Sequence, residues 1–272
     1  MNIVFMGTPE FSLPTLHKLY KSDHNVQLVV TQPDRPKGRG RELTPPPVKE
    51  FALEKKIPIL QPKKCTSLDV VKTLGELNSD VFIVVAFGQI LDKNLLTLPR
   101  HFCINLHSSL LPKYRGAAPI NWAIINGETK TGVTTMKMDT GLDTGDILLS
   151  SKVSISDDDD AQSLHETLAH KGSSLVLETL RQLDSGLLEP ICQDSDLASY
   201  APKLKKEDGL IQWNQPAIKI HNLVRGLTPW PGAFSFLESK RFKVCKTEIK
   251  RCGSIDQPGV IVRISGHGIE IG

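Results

Sequence analysis

No stretch of this 272-residue chain is apolar for long enough to span a bilayer, which takes about 20 residues in a helix, so no membrane protein is expected. The opening MNIVFMG lacks a basic start and is too short for the apolar segment of a secretory signal. No Arg- and Ser-rich presequence is present either, and a cytoplasmic address is expected. Cysteine is scarce. Cys65, Cys103, Cys192, Cys245 and Cys252 are odd in number and show no CxxC spacing, which argues against a disulfide framework and a zinc site and leaves five reduced thiols. The glycine patterns of nucleotide binding are missing too: Gly7 stands alone in MGTPEF, GRGREL from Gly38 lacks a third glycine and follows prolines, and there is no Walker loop. Dehydrogenase and nucleotide-hydrolase chemistry are therefore disfavoured.

What is present is an ordinary globular composition with an uneven distribution of charge. Residues 1–200 hold 21 Lys+Arg against 24 Asp+Glu, whereas residues 201–252 hold 11 against 4, so a near-neutral first part precedes a segment of charge +7. Such a segment suits a phosphate backbone, although basic surfaces also occur without such a partner.

Apolar runs at IVFMG, VQLVVT, DVFIVVAF and FCINLHSS alternate with the helical spacing of FSLPTLHKLY and SLDVVKTLGELN. That alternation predicts an α/β fold with a doubly wound, mostly parallel sheet, whose ligands lie beyond the carboxyl ends of the strands. TQPDRPKGRGRELTPPPVKE from Thr31 reads as a surface loop. The run Asp157–Asp160 reads as capping for the helical stretch SLHETLAHKGSSLVLETLRQL. After YAPKLKKEDG the chain turns to short β-type runs, AFSFL, RFKVCKTEI, GVIVRIS and GIEIG, which predict a small barrel-like second domain. The sequence stops at Gly272 within such a run, so this domain is expected to be incomplete. The expected boundaries are 1–188 for a catalytic domain, 189–207 for a linker and 208–272 for the second domain.

Two local signals carry chemistry. Asn105 and His107 stand two apart at the end of a predicted strand, so the period of two points both side chains to one face. An amide and an imidazole together can hold an oxyanion, and the imidazole can pass a proton to a leaving group. Taken alone, Asn-x-His reads first as the capping of a strand end. The second signal, TTMKMDTGLDTGDIL, puts Asp139, Asp143 and Asp146 in a glycine-punctuated turn. A carboxylate beside His107 would orient the ring, yet Asp and Gly are also the ordinary residues of turns. The absence of a calcium-loop pattern speaks against a metal.

Together, the stretch INLHSSLLPKYRGAAPINWAIINGE, the turn MDTGLDTGDIL, and the segments MGTPEF, VVAFGQIL, YAPKLKKEDG and GLTPWPGAF resemble the folate-dependent formyltransferases over nearly the whole chain. Within them the resemblance is to the branch that formylates methionine on initiator tRNA for translation initiation. It implies Asn105, His107 and Asp143 as the catalytic set and 10-formyltetrahydrofolate as co-substrate, with no metal. It further implies folate contacts at Phe87, Gly88, Gln89, Ile90, Leu91, Ser108, Leu110 and Pro112 and along Asp139, Thr140 and Gly141. Initiator methionyl-tRNA is the implied partner, an OB-like barrel the implied second domain, and a monomer the expected state. The basic loop, with Arg35, Lys37, Arg39 and Arg41, is the implied acceptor-arm contact, Arg39 being its matching arginine. Lys203, Lys205, Lys206, Arg241, Lys243 and Lys246 are expected to track phosphates.

Overall fold

The structure, a computed structural model, describes residues 1–37, 42–250, 257–266 and 268–272. It divides into two compact units. One comprises Met1–Gly116, Thr131–Ser154 and His165–Tyr200, the other Ala117–Lys130, Ile155–Leu164 and Ala201–Gly272.

A seven-stranded sheet organises the first unit: β1 (Asn2–Gly7), β2 (Asn25–Val30), β3 (Ile59–Leu60), β4 (Val81–Val85), β5 (Cys103–His107), β6 (Lys130–Lys137) and β7 (Ile147–Ser154). The spatial order is β7-β6-β5-β4-β1-β2-β3. Strands β3, β2, β1, β4 and β5 pair in parallel, and β6 runs antiparallel to β5. Parallel strands are covered on both faces, which is why the sequence shows them as unbroken apolar runs. On one face Val4, Met6, Phe82 and Val84 join Val70 and Leu74 of the helix Leu68–Glu76 in one buried cluster, which also takes in Phe87 and Leu91. Ile3, Phe5, Ile83 and Val85 alternate with them and are equally buried. The chain leaves β1 toward β2 and later returns to β4 on its other side. In open sheets of this kind such a reversal, here at the carboxyl ends of β1 and β4, is where ligands bind.

Where the sequence predicts one surface loop after β2, the structure has two elements. Arg35–Lys37 pairs with Glu42–Thr44 as a short antiparallel hairpin. A helix then begins at Pro47, a position where proline's fixed φ fits and its missing N–H costs nothing. At the start of the hairpin, hydrogen bonds from Gln61 and Lys49 hold the Asp34 carboxyl below the usual carboxylate range.

Close approach of backbone fixes one glycine of this sheet. A Cβ on Gly132 in β6 would lie 2.2 Å from the Ser151 carbonyl oxygen of β7. Gly132→Ala is expected to cost about 1–3 kcal/mol, as overpacked cores do, read as a lower unfolding midpoint in urea with unchanged slope.

In the second unit the helix Pro119–Ile125 lies against the helix Ala217–Gly226, a contact the sequence reading did not anticipate. The Asn121 amide donates to the Gly226 carbonyl at 2.8 Å, and a Cβ on Gly226 would meet the Ile125 side chain at 2.5 Å. Ala118, Leu204 and Leu227 form the buried cluster beside them. Asp160 caps the helix Ala161–Asp184, accepting from the backbone N–H groups of Gln162 and Ser163 at 2.9 Å each. The expected short strands are present as Ala233–Leu237 with Lys240–Val244 and as Ile261–Ser265 with Gly268–Ile271, each pair antiparallel. Among the described residues these pairs are separate two-stranded sheets.

Candidate active site

Strand β5 brings Asn105 and His107 to its carboxyl end, Asn105 opposite Val84 and Met136 and His107 opposite Thr134. His107 is buried, and its Nε2 lies 2.9 Å from the Tyr114 carbonyl oxygen. A carbonyl only accepts, so Nε2 carries a hydrogen and Nδ1 is the nitrogen left for chemistry. Nδ1 faces Asp143, whose Oδ2 is 3.6 Å away. That oxygen also accepts the Gly116 backbone N–H at 2.8 Å. Asn105 is half-buried, and its amide makes no hydrogen bond among the described residues. An amide that capped the strand end would be bonded to backbone.

The three aspartates of the turn have different tasks. Asp139 organises the turn itself: its Oδ1 accepts from the Gly141 N–H at 3.0 Å and from the Thr144 hydroxyl at 2.8 Å. The Asp146 carbonyl closes the turn by accepting from the Lys137 N–H at 2.9 Å. Asp143 alone reaches the histidine, from a backbone with φ +54° that L-residues seldom adopt. Spacing alone could not rank them.

A residue the sequence reading missed holds this turn from behind. The Gln193 amide donates from Nε2 to the Asp143 and Gly145 carbonyls at 2.9 and 2.6 Å. Its Oε1 accepts from Nε and one terminal nitrogen of Arg115 at 3.1 and 2.8 Å. Gln193 lies in irregular chain after the long helix, where no periodicity marks it.

The segment after β4 has a similar brace. Gln32 donates from Nε2 to the carbonyls of Phe87 and Gly88 at 3.2 and 3.0 Å, and its Oε1 accepts from Arg35 at 2.8 Å. The Thr8 hydroxyl also donates to the Phe87 carbonyl, at 3.0 Å. Phe87 and Leu91 send their side chains into the core, while Ile90 is 85% exposed. Gln89 faces inward, accepting from the Cys65 N–H at 2.7 Å and donating to the Pro62 carbonyl at 3.0 Å. Gly88, at φ +81°, is exposed. Phe87 and Leu91 can thus offer a ligand backbone only, and Gly88 and Ile90 are its open positions. Ser108, Leu110 and Pro112 are half-buried after β5, and Asp139, Thr140 and Gly141 are exposed.

Of the expected RNA contacts, Arg39 and Arg41 lie outside the described residues, as does the Lys37 side chain. Arg35 is exposed. Lys203, Lys205, Lys206, Arg241, Lys243 and Lys246 are exposed in the second unit. The Arg241 guanidinium lies over the Phe234 ring at 3.8 Å, and the Lys243 ammonium reaches the Pro229 carbonyl at 3.4 Å. Cys65, Cys103, Cys192 and Cys245 are free thiols, and Cys252 lies outside the described residues. Burial pushes the Cys103 thiol up to about 12, which keeps it protonated and inert.

Comparison with known proteins shows the family. A family pattern described as formyl transferase matches residues 1–180, and one described as formyl transferase, C-terminal domain, matches residues 203–272. A methionyl-tRNA formyltransferase of Geobacter metallireducens is 55% identical over all of the chain and 87% of its own length. One of Caldanaerobacter subterraneus subsp. tengcongensis is 50% identical over 97% of the chain and 85% of its own length. Among solved structures, a sugar 3N-formyl transferase, WlaRD, crystallised with dTDP and 5-N-formyl-THF, superposes with a TM-score of 0.71 at 20% identity. That match covers 97% of this chain and 91% of the other. An N-formyltransferase of Helicobacter canadensis, in complex with folinic acid and dTDP-3-aminofucose, gives 0.69 at 20% identity over 90% and 86%.

Proposed function

The chain belongs to the formyl transferase family, and from that premise we propose that it carries a formyl group from 10-formyltetrahydrofolate to the α-amino group of methionine on an initiator tRNA. The observation that carries the reading is the convergence of an unbonded Asn105 amide, the His107 Nδ1 and the Asp143 carboxylate at the carboxyl end of β5. The named relatives formylate methionyl-tRNA and are half or more identical over nearly the whole chain.

The neutral amine attacks the formyl carbon, and the carbonyl electron pair moves onto oxygen. Asn105 donates an amide hydrogen to that oxyanion and a protonated His107 Nδ1 adds charge beside it, both placed before charge develops. Asp143 takes the proton that the attacking nitrogen must shed, directly or through one water. The oxyanion collapses, the bond to the folate nitrogen breaks, and that nitrogen leaves with the proton that Asp143 took up, passed on directly, through water or by way of the His107 imidazole. One proton is lost by the amine and one is gained by the folate, so the enzyme ends as it began.

The folate's flat ring suits the slot beyond β4, where Gly88 keeps the backbone bare and the Phe87 to Leu91 segment presents polar main-chain atoms. Arg35, the exposed lysines and the Arg241 face supply cations for the tRNA backbone. A working place in the cytoplasm, as a monomer, completes the proposal.

The test is formyl transfer to initiator methionyl-tRNA, with elongator methionyl-tRNA and an amino-sugar nucleotide as parallel acceptors. Preference for the initiator is expected, with KM for tRNA rising steeply from 50 to 200 mM salt, by about 10³ if six or more phosphates are contacted. Transfer to the sugar alone, or a salt-independent KM, would overturn the assignment of the acceptor.

A further inference from the structure

We propose that Gln193 is a positioning residue for the transfer step: it holds the Asp143 turn so that the carboxylate stays beside His107. The proposal rests on the formyl-transfer reading given above.

Gln193 is 7% exposed although it stands in irregular chain, and both ends of its amide are bonded. The direction of the amide follows from its neighbours. A guanidinium only donates, so Oε1 must face Arg115, and the two carbonyls of the turn only accept, so Nε2 must face them. Arg115 therefore sets which end of Gln193 meets the turn. The two carbonyls held are that of Asp143, the one residue of the turn whose φ is +54°, and that of Gly145 two residues on, so Gln193 fixes the chain as it leaves Asp143. A left-handed conformation at a side-chain-bearing residue persists only where its surroundings enforce it. On its other side Asp143 is held by the Gly116 N–H, one residue beyond Arg115. Backbone and carboxylate of the same aspartate are thus gripped by one short strut, Arg115–Gly116 with Gln193.

The strut is itself anchored. Ile191 exchanges two backbone hydrogen bonds of 2.8 Å with Ile147, the first residue of β7 after the turn. Gln193 is therefore pinned two residues from the strand that the turn leads into. Glycine completes the fit, because a Cβ on Gly145 would lie 1.7 Å from the Lys137 carbonyl oxygen. The turn cannot relax by swinging away from Gln193 without opening that contact. Gln193 touches no reacting atom, so its influence on the reaction passes through Asp143.

Two near-isosteric variants separate positioning from bulk. Gln193→Glu keeps the partner of Arg115 and removes both donors to the turn; Gln193→Met keeps length and removes both polar ends. Each is expected to lower kcat, by up to about 100-fold if the carboxylate moves by about an ångström, while KM for the folate donor stays near that of the unaltered chain; the thermal midpoint should fall by a few degrees as buried partners lose their bonds, leaving the chain folded at assay temperature. Arg115→Met should reproduce the fall, and the double variant with Gln193→Met should be no worse than the worse single change. Unchanged kcat in Gln193→Glu, or a fall in kcat matched by lost folate affinity, overturns the proposal. If the unaltered chain transfers no formyl group at all, the reading of the reaction fails instead. A crystal structure of Gln193→Glu then decides the positioning by itself: Asp143 Oδ2 must have left the Gly116 N–H, and its retention there overturns the inference.

Discussion

Asn105→Ala is expected to lower kcat by roughly 100- to 1000-fold, the loss seen when one oxyanion donor is removed. KM for the folate should change little, because the bond that is lost forms only as charge develops on the formyl oxygen. The reason to expect a kinetic effect lies in what Asn105 does not touch. It sits half-buried at a position paired with a strand on each side, yet its amide has no hydrogen bond among the described residues. A strand-capping role predicts the opposite outcome, a lower melting temperature with normal turnover. Single-turnover rates on charged tRNA, measured beside thermal melts, separate the two. Asn105→Asp should be at least as damaging, since a carboxylate placed against a growing oxyanion repels it.

Asp143→Asn should cost between about 100- and 10 000-fold in kcat, the span of general acid–base contributions. The substitution is chosen because the amide oxygen can still accept the Gly116 N–H, which Asp143 Oδ2 accepts at 2.8 Å. The turn then keeps its shape while the charge 3.6 Å from His107 Nδ1 and the proton acceptor for the amine both disappear. Unfolding by urea should be close to normal. Activity within a few-fold of normal, with the turn intact, would remove Asp143 from proton transfer and leave the imidazole and Asn105 to account for the rate. The matching change at Asp139 should act differently, because its carboxylate is bonded to Gly141 and Thr144 of its own turn. Its loss loosens the turn and is not expected to remove a reacting group.

Much of the sheet was legible because parallel strands are mostly apolar on both faces: IVFMG and VFIVV are wholly so, and VQLVV and CINLH break the run only at Gln27 and at Asn105 and His107. The Asn105–His107 pair was legible through the two-residue period, which puts alternate side chains on one face whatever surrounds them. The choice of Asp143 among three aspartates was not, since it depends on a left-handed backbone and on a donor, Gly116, 27 residues away. Gln193 was less legible still: it lies 50 residues from the turn it holds, in chain without periodicity, and its neighbours in sequence fall in what reads as a linker. The contact between Pro119–Ile125 and Ala217–Gly226 escaped for the same reason. Short helices leave a weak pattern, and the partner that explains a glycine such as Gly226 is about a hundred residues distant. The helix at Pro47 was hidden by its own prolines, which mark a loop in most contexts and a first helical turn in this one.

The braces at Gln32 and Gln193 have a consequence for how the molecule tolerates its surroundings. Both grip their turns through an uncharged amide, Nε2 to two carbonyls, with an arginine behind Oε1. Neither a primary amide nor a carbonyl takes up or releases a proton in the range where a cell lives, and a guanidinium keeps its charge there. These two braces are therefore indifferent to acidity, whereas the Asp139 carboxylate, which accepts from Gly141 and Thr144 in the same turn, is a titratable part of the frame. Ionic strength separates in the same way, since dissolved ions weaken attraction to a distant polyanion far more than short bonds between neutral dipoles. A rise in salt would then weaken recognition of the large substrate well before it disturbs the braces that hold the machinery.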